Sequence, residues 1–216
     1  MPDADGTVPI FPLPAVVLFP GALLPLHIFE PRYRAMMEAA LGGERRIAMA
    51  LLKPGWEADY YGNPPIHDVI GIGEIIEDVR LPDGRFNLVL KGVARARVLE
   101  VLSDQPYRTA RVKLLEDVPA DARGEFCRKE LQAFYAAVLA QIGQPPAEEL
   151  PLGPLTDLLV SMITFDAEVK QGFLEELDAA RRGERVVELL RAMKAPGFGG
   201  PQPPQKPFLP GEPSLN

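Results

Sequence analysis

Few residues in this chain have types and spacing that could do chemistry. His27 lies three positions before Glu30 and five before Arg32, within FPGALLPLHIFEPRYRAMMEAAL, residues 19–41. A histidine with a carboxylate to orient it is the start of a general base. In an extended strand, however, positions three apart point to opposite faces. His27 and Glu30 could therefore meet only if the chain turned sharply at Phe29, and no nucleophile elbow accompanies them. The spacing reads instead as a strand handing over to a helix, with Glu30 and Arg32 fixing the corner by charge and hydrogen bonds. His67 stands beside Asp68 in PPIHDV, where a solvated loop histidine is expected. Cys127 falls on an apolar helical stripe, where a thiol behaves as a small hydrophobe and is inert. One cysteine and two distant histidines give no zinc-ligand spacing, so no metal or cofactor is expected. Phosphate-binding glycine loops and H-E-x-x-H are absent from the sequence. Ser103 and Ser161 have no lysine or histidine at a familiar spacing. No catalytic residue is assigned, and an enzyme is not expected.

Composition narrows the classes further. The chain has 216 residues, of which 47% are apolar and 25% charged, enough for a packed core in one large or two small domains. A formal net charge of −7 opposes binding to phosphate backbones, so nucleic acid is a poor partner. Residues 8–29 carry no Asp, Glu, Lys or Arg, yet Pro9, Pro12, Pro14, Pro20 and Pro25 interrupt them and argue against a membrane helix. The first six residues lack the basic region of a signal peptide, and a lone cysteine fits a reducing compartment. The expectation is a soluble, cytoplasmic protein.

The elements that must position any site change period halfway along. Residues 8–11, 23–29 and 46–52 are short apolar runs bounded by Pro or Gly, the pattern of strands. Residues 69–92 predict a hairpin around Leu81-Pro82-Asp83-Gly84, where Gly84 can take positive φ. Residues 95–101 and 107–116 alternate as two further strands. Pro31 starts a helix carrying Tyr33, Met36, Met37, Ala40 and Leu41, ended by Gly42 and Gly43. Many short strands imply a barrel or sandwich. From Asp121 onward the spacing turns helical. Cys127, Leu131, Phe134, Tyr135, Val138, Leu139 and Ile142 form one stripe, and three more striped segments follow, one with Asp166 as candidate N-cap. A bundle packed beside the strands would bury these faces. The last 21 residues hold seven prolines and four glycines, a tail unable to build a core. The predicted division is 1–118, a strand lobe with one inserted helix; 119–195, a helical bundle lobe; and 196–216, a Pro/Gly-rich tail.

Two surface features could bind a partner. Trp56, Tyr60 and Tyr61 cluster in KPGWEADYYGNPPIHDV, residues 53–69, and loop aromatics are favoured anchors. Arg95 and Arg97 alternate on one strand, with Arg108 and Arg111 on the next. That is a candidate basic stripe, weighed against the simpler reading of a solvated face.

Three separated blocks resemble a known family. PIFPLPAVVLFPGALLPLHIFEPRYRAMMEAAL is similar to the opening of the N-terminal, substrate-binding domain of the ATP-dependent Lon protease, and closer still to stand-alone bacterial proteins made of that domain. GIGEIIEDVRLPDGRFNLVLKGVARARVLEV resembles the family's central hairpin and the strand after it. LTDLLVSMITFDAEVKQGFLEELDAARRGERVVELL resembles its helical part, including Lys170-Gln171 and Leu177-Asp178. The resemblance implies an α+β fold, a PUA-like small β-barrel lobe followed by a helical bundle lobe. In the protease this region helps recognise polypeptides and assemble the ring. Neither the ATPase module nor the serine–lysine protease domain has a counterpart in these 216 residues, which implies recognition without peptidase activity. The expected function is a non-enzymatic polypeptide-binding module for unfolded or exposed polypeptide segments, acting with a separate protease or chaperone. Candidate peptide-binding residues are Trp56, Tyr60, Tyr61 and Tyr33. A client would pair with a strand edge or enter a groove between the lobes, where the tail's KPFLPGEP could also lie. The alternative is a PUA-like RNA-binding protein using the Arg95/Arg97 stripe. A third reading is a small-molecule pocket lined by His27, Glu30 and Tyr33.

Overall fold

The computed structural model describes residues 5–59, 62–103, 106–145 and 148–194. Six strands come first: β1 (Asp5–Leu13), β2 (Leu23–Ile28), β3 (Arg46–Leu51), β4 (Val69–Arg80), β5 (Phe86–Ser103) and β6 (Arg108–Leu115). Helix α1 (Pro31–Leu41) joins β2 to β3, and a short 3-10 turn spans Trp56–Asp59. Helices α2 (Ala122–Gln141), α3 (Leu152–Met162), α4 (Ala167–Glu175) and α5 (Ala179–Lys194) follow. The strand order is β2-β5-β4-β3-β1-β6, and β5 also pairs with β6, so the ladder returns on itself. Only β1 and β3 run parallel; Ile10 lies opposite Ala48.

Alternation along the strands sets what each face holds. One face gathers Val8, Ile10, Ala48, Ala50, Ile70, Ile72, Ala96, Ala110 and Val112, mostly small residues that fit the narrow interior of a closing sheet. The other face, with Phe11, Ile47, Met49, Phe86, Leu88 and Leu90, packs against Tyr33, Met36 and Met37 of α1 and continues into the helical core. The predicted turn forms: Gly84 has φ +82°, and its N–H donates to Leu81 O at 2.9 Å.

One element differs from the sequence reading. The hairpin strand and the strand expected at 95–101 are a single 18-residue strand, β5. Its first half pairs with β2 and β4 and its second with β6. Register shifts bend it at Val98/Glu100 and Val101/Ser103, as bulges do. Gly92, read as the end of the hairpin, is needed for close approach instead. A Cβ there would lie 2.0 Å from Phe19 O, and one on Gly71 would lie 2.0 Å from Leu18 O. These two glycines let the β1–β2 connection lie flat on the sheet, held by Gly21 N–H to Gly92 O and Gly92 N–H to Ala22 O, both 2.8 Å.

The helices start where the sequence suggested. Asp121 caps α2, accepting from Arg123 N–H at 3.0 Å. Asp166 occupies the N-cap position of α4 without a side-chain bond to it. Among the described residues, no helix is long and apolar enough to cross a membrane. The tail lies outside the described residues.

Candidate functional site

A groove of about 500 Å³ runs along β2. The β1–β2 connection walls it on one side with Leu13, Pro14 and Val16, while Leu24 and Leu26 of β2, and Leu88 and Val89 of β5, supply apolar surface. Glu30, Glu77 and Asp78 bring carboxylates to it. Two of these are held in pairs, Glu30 by Arg32 at 3.1 Å and Asp78 by Arg45 at 2.6 Å.

The strand beside the groove has a free edge. Among the described residues β2 pairs only with β5. Gly92 N–H donates to Ala22 O, and Leu23 stands opposite Lys91. This makes Leu23–Lys91 a wide, non-hydrogen-bonded pair, and parity then fixes the rest of the strand. Leu24, Leu26 and Ile28 turn their backbone groups to β5; Leu23, Pro25 and His27 turn theirs outward. Pro25 thus occupies a position where the sheet loses nothing by its missing N–H. The outward row offers the N–H groups of Leu23 and His27 and the carbonyls of all three residues, a template for an added strand.

His27 lines this groove but is not set up as a base. It stands opposite Asn87 in the ladder. Its Nδ1 lies 2.7 Å from Asn87 Oδ1 and its Nε2 lies 3.4 Å from Arg85 Nη1. A neutral ring with the proton on Nδ1 satisfies both, donating to the amide oxygen and accepting from the guanidinium. Glu30 acts elsewhere, as the expected corner: its carbonyl accepts from Tyr33 and Arg34 N–H at the start of α1, and its carboxylate holds Arg32.

The candidate binding residues fall in different places. Tyr33 is buried, its ring 4.5 Å from that of Phe11. Phe11 lines the groove and Tyr33 does not. The pocket of His27, Glu30 and Tyr33 is therefore not assembled. Trp56 is half-buried in the 3-10 turn, away from the groove lining. Tyr60 and Tyr61 lie outside the described residues.

The basic stripe dissolves. Arg95 is 3% exposed and Arg108 8%. Arg108 donates to Pro64 O at 2.7 Å, and Arg111 pairs with Glu100 at 2.8 Å. Arg95 enters a buried network that sequence reasoning missed. It reaches Asp157 of α3, Asp117, and Leu174 O. Arg182 of α5, wholly buried, contacts Asp117, Asp157, Thr156 and Glu176 O. Two arginines and two aspartates thus bolt the strands to three helical segments. Burial pushes the Asp157 carboxyl above the ordinary carboxylate range despite both arginines. The expected inter-lobe cleft exists, about 610 Å³, but this network lines it along with Lys91. His67 is also not a free loop residue: its two ring nitrogens lie 3.3 Å from Glu168 and Glu175 of α4. Gln171 of the same helix donates to Val69 O at 2.9 Å. Cys127 is buried as expected, and desolvation raises its thiol pKa.

A closed small-residue ladder with an apolar groove, joined by buried charge pairs to four helices, is the fold of Lon N-terminal domains. The Lon N-terminal domain protein of Xanthomonas campestris superposes with a TM-score of 0.64 at 22% identity, covering 85% of this chain and 98% of that one. The N-terminal domain of the Mycobacterium avium complex Lon protease gives 0.66 at 19%, covering 85% and 97%. Residues 7–192 match the model of the ATP-dependent protease La (LON) substrate-binding domain, and the chain belongs to that family. The Lon protease of Heliobacterium modesticaldum is 30% identical over 192 residues, and that of Anaeromyxobacter dehalogenans 28% over 197. These matches cover 85% and 87% of this chain. The chain spans about a quarter of the length of these relatives, 23% in both cases.

Proposed function

We propose that this chain is a polypeptide-recognition module that holds extended apolar segments of unfolded proteins along β2 and makes or breaks no covalent bond. The observation that carries this reading is an apolar groove of about 500 Å³ lying beside an unpaired strand edge, in a chain of the LON substrate-binding domain family. A client strand would bond to the outward backbone groups of Leu23, Pro25 and His27, while its side chains enter the groove. Main-chain pairing tolerates many sequences and apolar contact selects unfolded ones, which suits a receptor for damaged proteins. Trp56, with Tyr60 and Tyr61, is proposed as a second contact on the β3–β4 connection, and Tyr33 as a support acting through Phe11. A separate cytoplasmic protease or chaperone is the proposed recipient of the client. The RNA reading is not carried forward, because Arg95 and Arg108 are buried in internal bonds.

The test is fluorescence anisotropy with a labelled globular protein, reduced and carboxymethylated so that it stays unfolded. Saturable binding is expected, with the folded form of the same protein left unbound. Val79→Asp and Val89→Asp place a charge in the groove and should each weaken binding about tenfold. No binding by the wild-type chain, or equal binding by both variants, refutes the proposal.

A further inference from the structure

Helix α2 outruns its neighbours. It is 20 residues long, against 11 for α3. The two begin together, with Gly124 of α2 against the Leu152 side chain. The chain between them returns along α2: Arg128 pairs with Glu149 at 3.2 Å and Gln132 donates to Glu148 O at 3.0 Å. α5 ends beside the middle of α2, where Arg191 meets Glu130 at 2.8 Å. The second half of α2 therefore extends past the helices that cover its first half. Its buried residues, Gly124, Cys127 and Leu131, all lie before that point.

The stripe read from the sequence continues where the bundle does not. Tyr135 still packs on the edge of the core. Beyond it Val138 and Leu139 are half-buried, Ala136, Ala137 and Ala140 are exposed, and Ile142 is 61% exposed. An apolar helical face at this spacing is ordinarily covered. Its chemistry points to the cover. Residues 131–146 contain no charged side chain, in a chain of net charge −7. An acidic or basic partner finds nothing here to pair with. Two copies of an acidic chain repel over most of their surfaces, but on this face no carboxylates would oppose each other. The alanines lower the side-chain height, so two such helices can approach closely.

We propose that residues 135–142 of α2 pair with the same segment of a second copy, about a two-fold axis near Val138. The stripe is about 10 Å long, so the contact is smaller than a standard interface of roughly 1,600 Å² and the dimer is weak and reversible. This surface is separate from the groove and does not depend on client binding.

Sedimentation equilibrium of the full chain across the micromolar range tests the proposal. A reversible monomer–dimer equilibrium is expected, with its dissociation constant raised at least about tenfold by Val138→Asp, which would bury an unpaired charge. Ile142→Lys should act in the same direction, and both variants should keep the wild-type circular dichroism spectrum as monomers. In a Cys127→Ser background, Val138→Cys should form an intermolecular disulfide under mild oxidation and Phe126→Cys should not. A monomer throughout that range overturns the proposal, as does a dimer indifferent to Val138→Asp. A dimer lost on deleting residues 195–216 but kept in Val138→Asp would assign the contact to the tail, and loss of unfolded-client binding by Val138→Asp in a chain that stays monomeric would assign the face to clients; either result overturns it.

Discussion

Replacing Arg182 by methionine keeps most of the side chain's volume and removes its charge. The structure sets the cost. Arg182 is fully buried and contacts Asp117, Asp157, Thr156 and the Glu176 carbonyl. Asp117 is 28% exposed and can recover water, but Asp157 is 3% exposed and would keep only Arg95. Removing one partner from a buried ion network costs about 3–5 kcal/mol. At roughly 2–4 °C per kcal/mol for a chain of this size, the midpoint of thermal unfolding should fall by about 6–20 °C. The penalty should also depend on pH. Burial raises the Asp157 pKa, and a group with a raised folded pKa contributes stability that is present below its unfolded pKa and lost as pH rises through the folded value. Loss of Arg182 raises that pKa further, so the penalty should be larger at pH 7 than at pH 4.5, where a neutral Asp157 is easier to bury. The assay is equilibrium urea denaturation at both pH values, followed by Trp56 fluorescence for the strands and far-ultraviolet circular dichroism for the helices. Because the network joins the two, their transitions should separate in the variant. A loss below about 1 kcal/mol, or one that does not change with pH, would refute the reasoning.

Three further outcomes are expected. Gly92→Ala should destabilise the fold by about 2 kcal/mol or more and weaken client binding, because its Cβ would meet Phe19 O at 2.0 Å and lift the groove wall; urea denaturation and anisotropy read the two effects. Leu23→Pro should leave thermal stability nearly unchanged while weakening client binding roughly fivefold, since it deletes one outward N–H worth about 1 kcal/mol. Cys127 should resist a thiol reagent at pH 8 in the native protein and react quickly in denaturant, because burial raises its pKa and shields it.

What could be read from sequence followed from local rules. Period-two alternation located the strands, Pro82 with Gly84 marked the hairpin, and Asp121 marked the start of α2. These depend on residues within a few positions of each other. The groove was not legible, since it needs the β1–β2 connection to lie on Gly71 and Gly92, some fifty to seventy residues further along the chain. The Arg95–Asp157 and Arg182–Asp117 contacts span 62 and 65 positions, so Arg95 read as a surface charge. His67 read as a loop residue because its partners, Glu168 and Glu175, arrive from α4. The α2 stripe was legible, but not that the bundle covers only its first half. Two glycines taken individually as turn or hairpin residues thus explain more of the candidate site than the aromatic cluster that drew attention to residues 53–69.

The central claim is that an unfolded chain adds itself to β2. Amide hydrogen exchange resolved by nuclear magnetic resonance, with and without saturating unfolded client, tests it most directly. The account predicts that the outward amides of Leu23 and His27 become protected while those of Leu24 and Leu26, already bonded to β5, change little. Protection confined to other segments, or unchanged exchange at Leu23 and His27 with client bound, would contradict it.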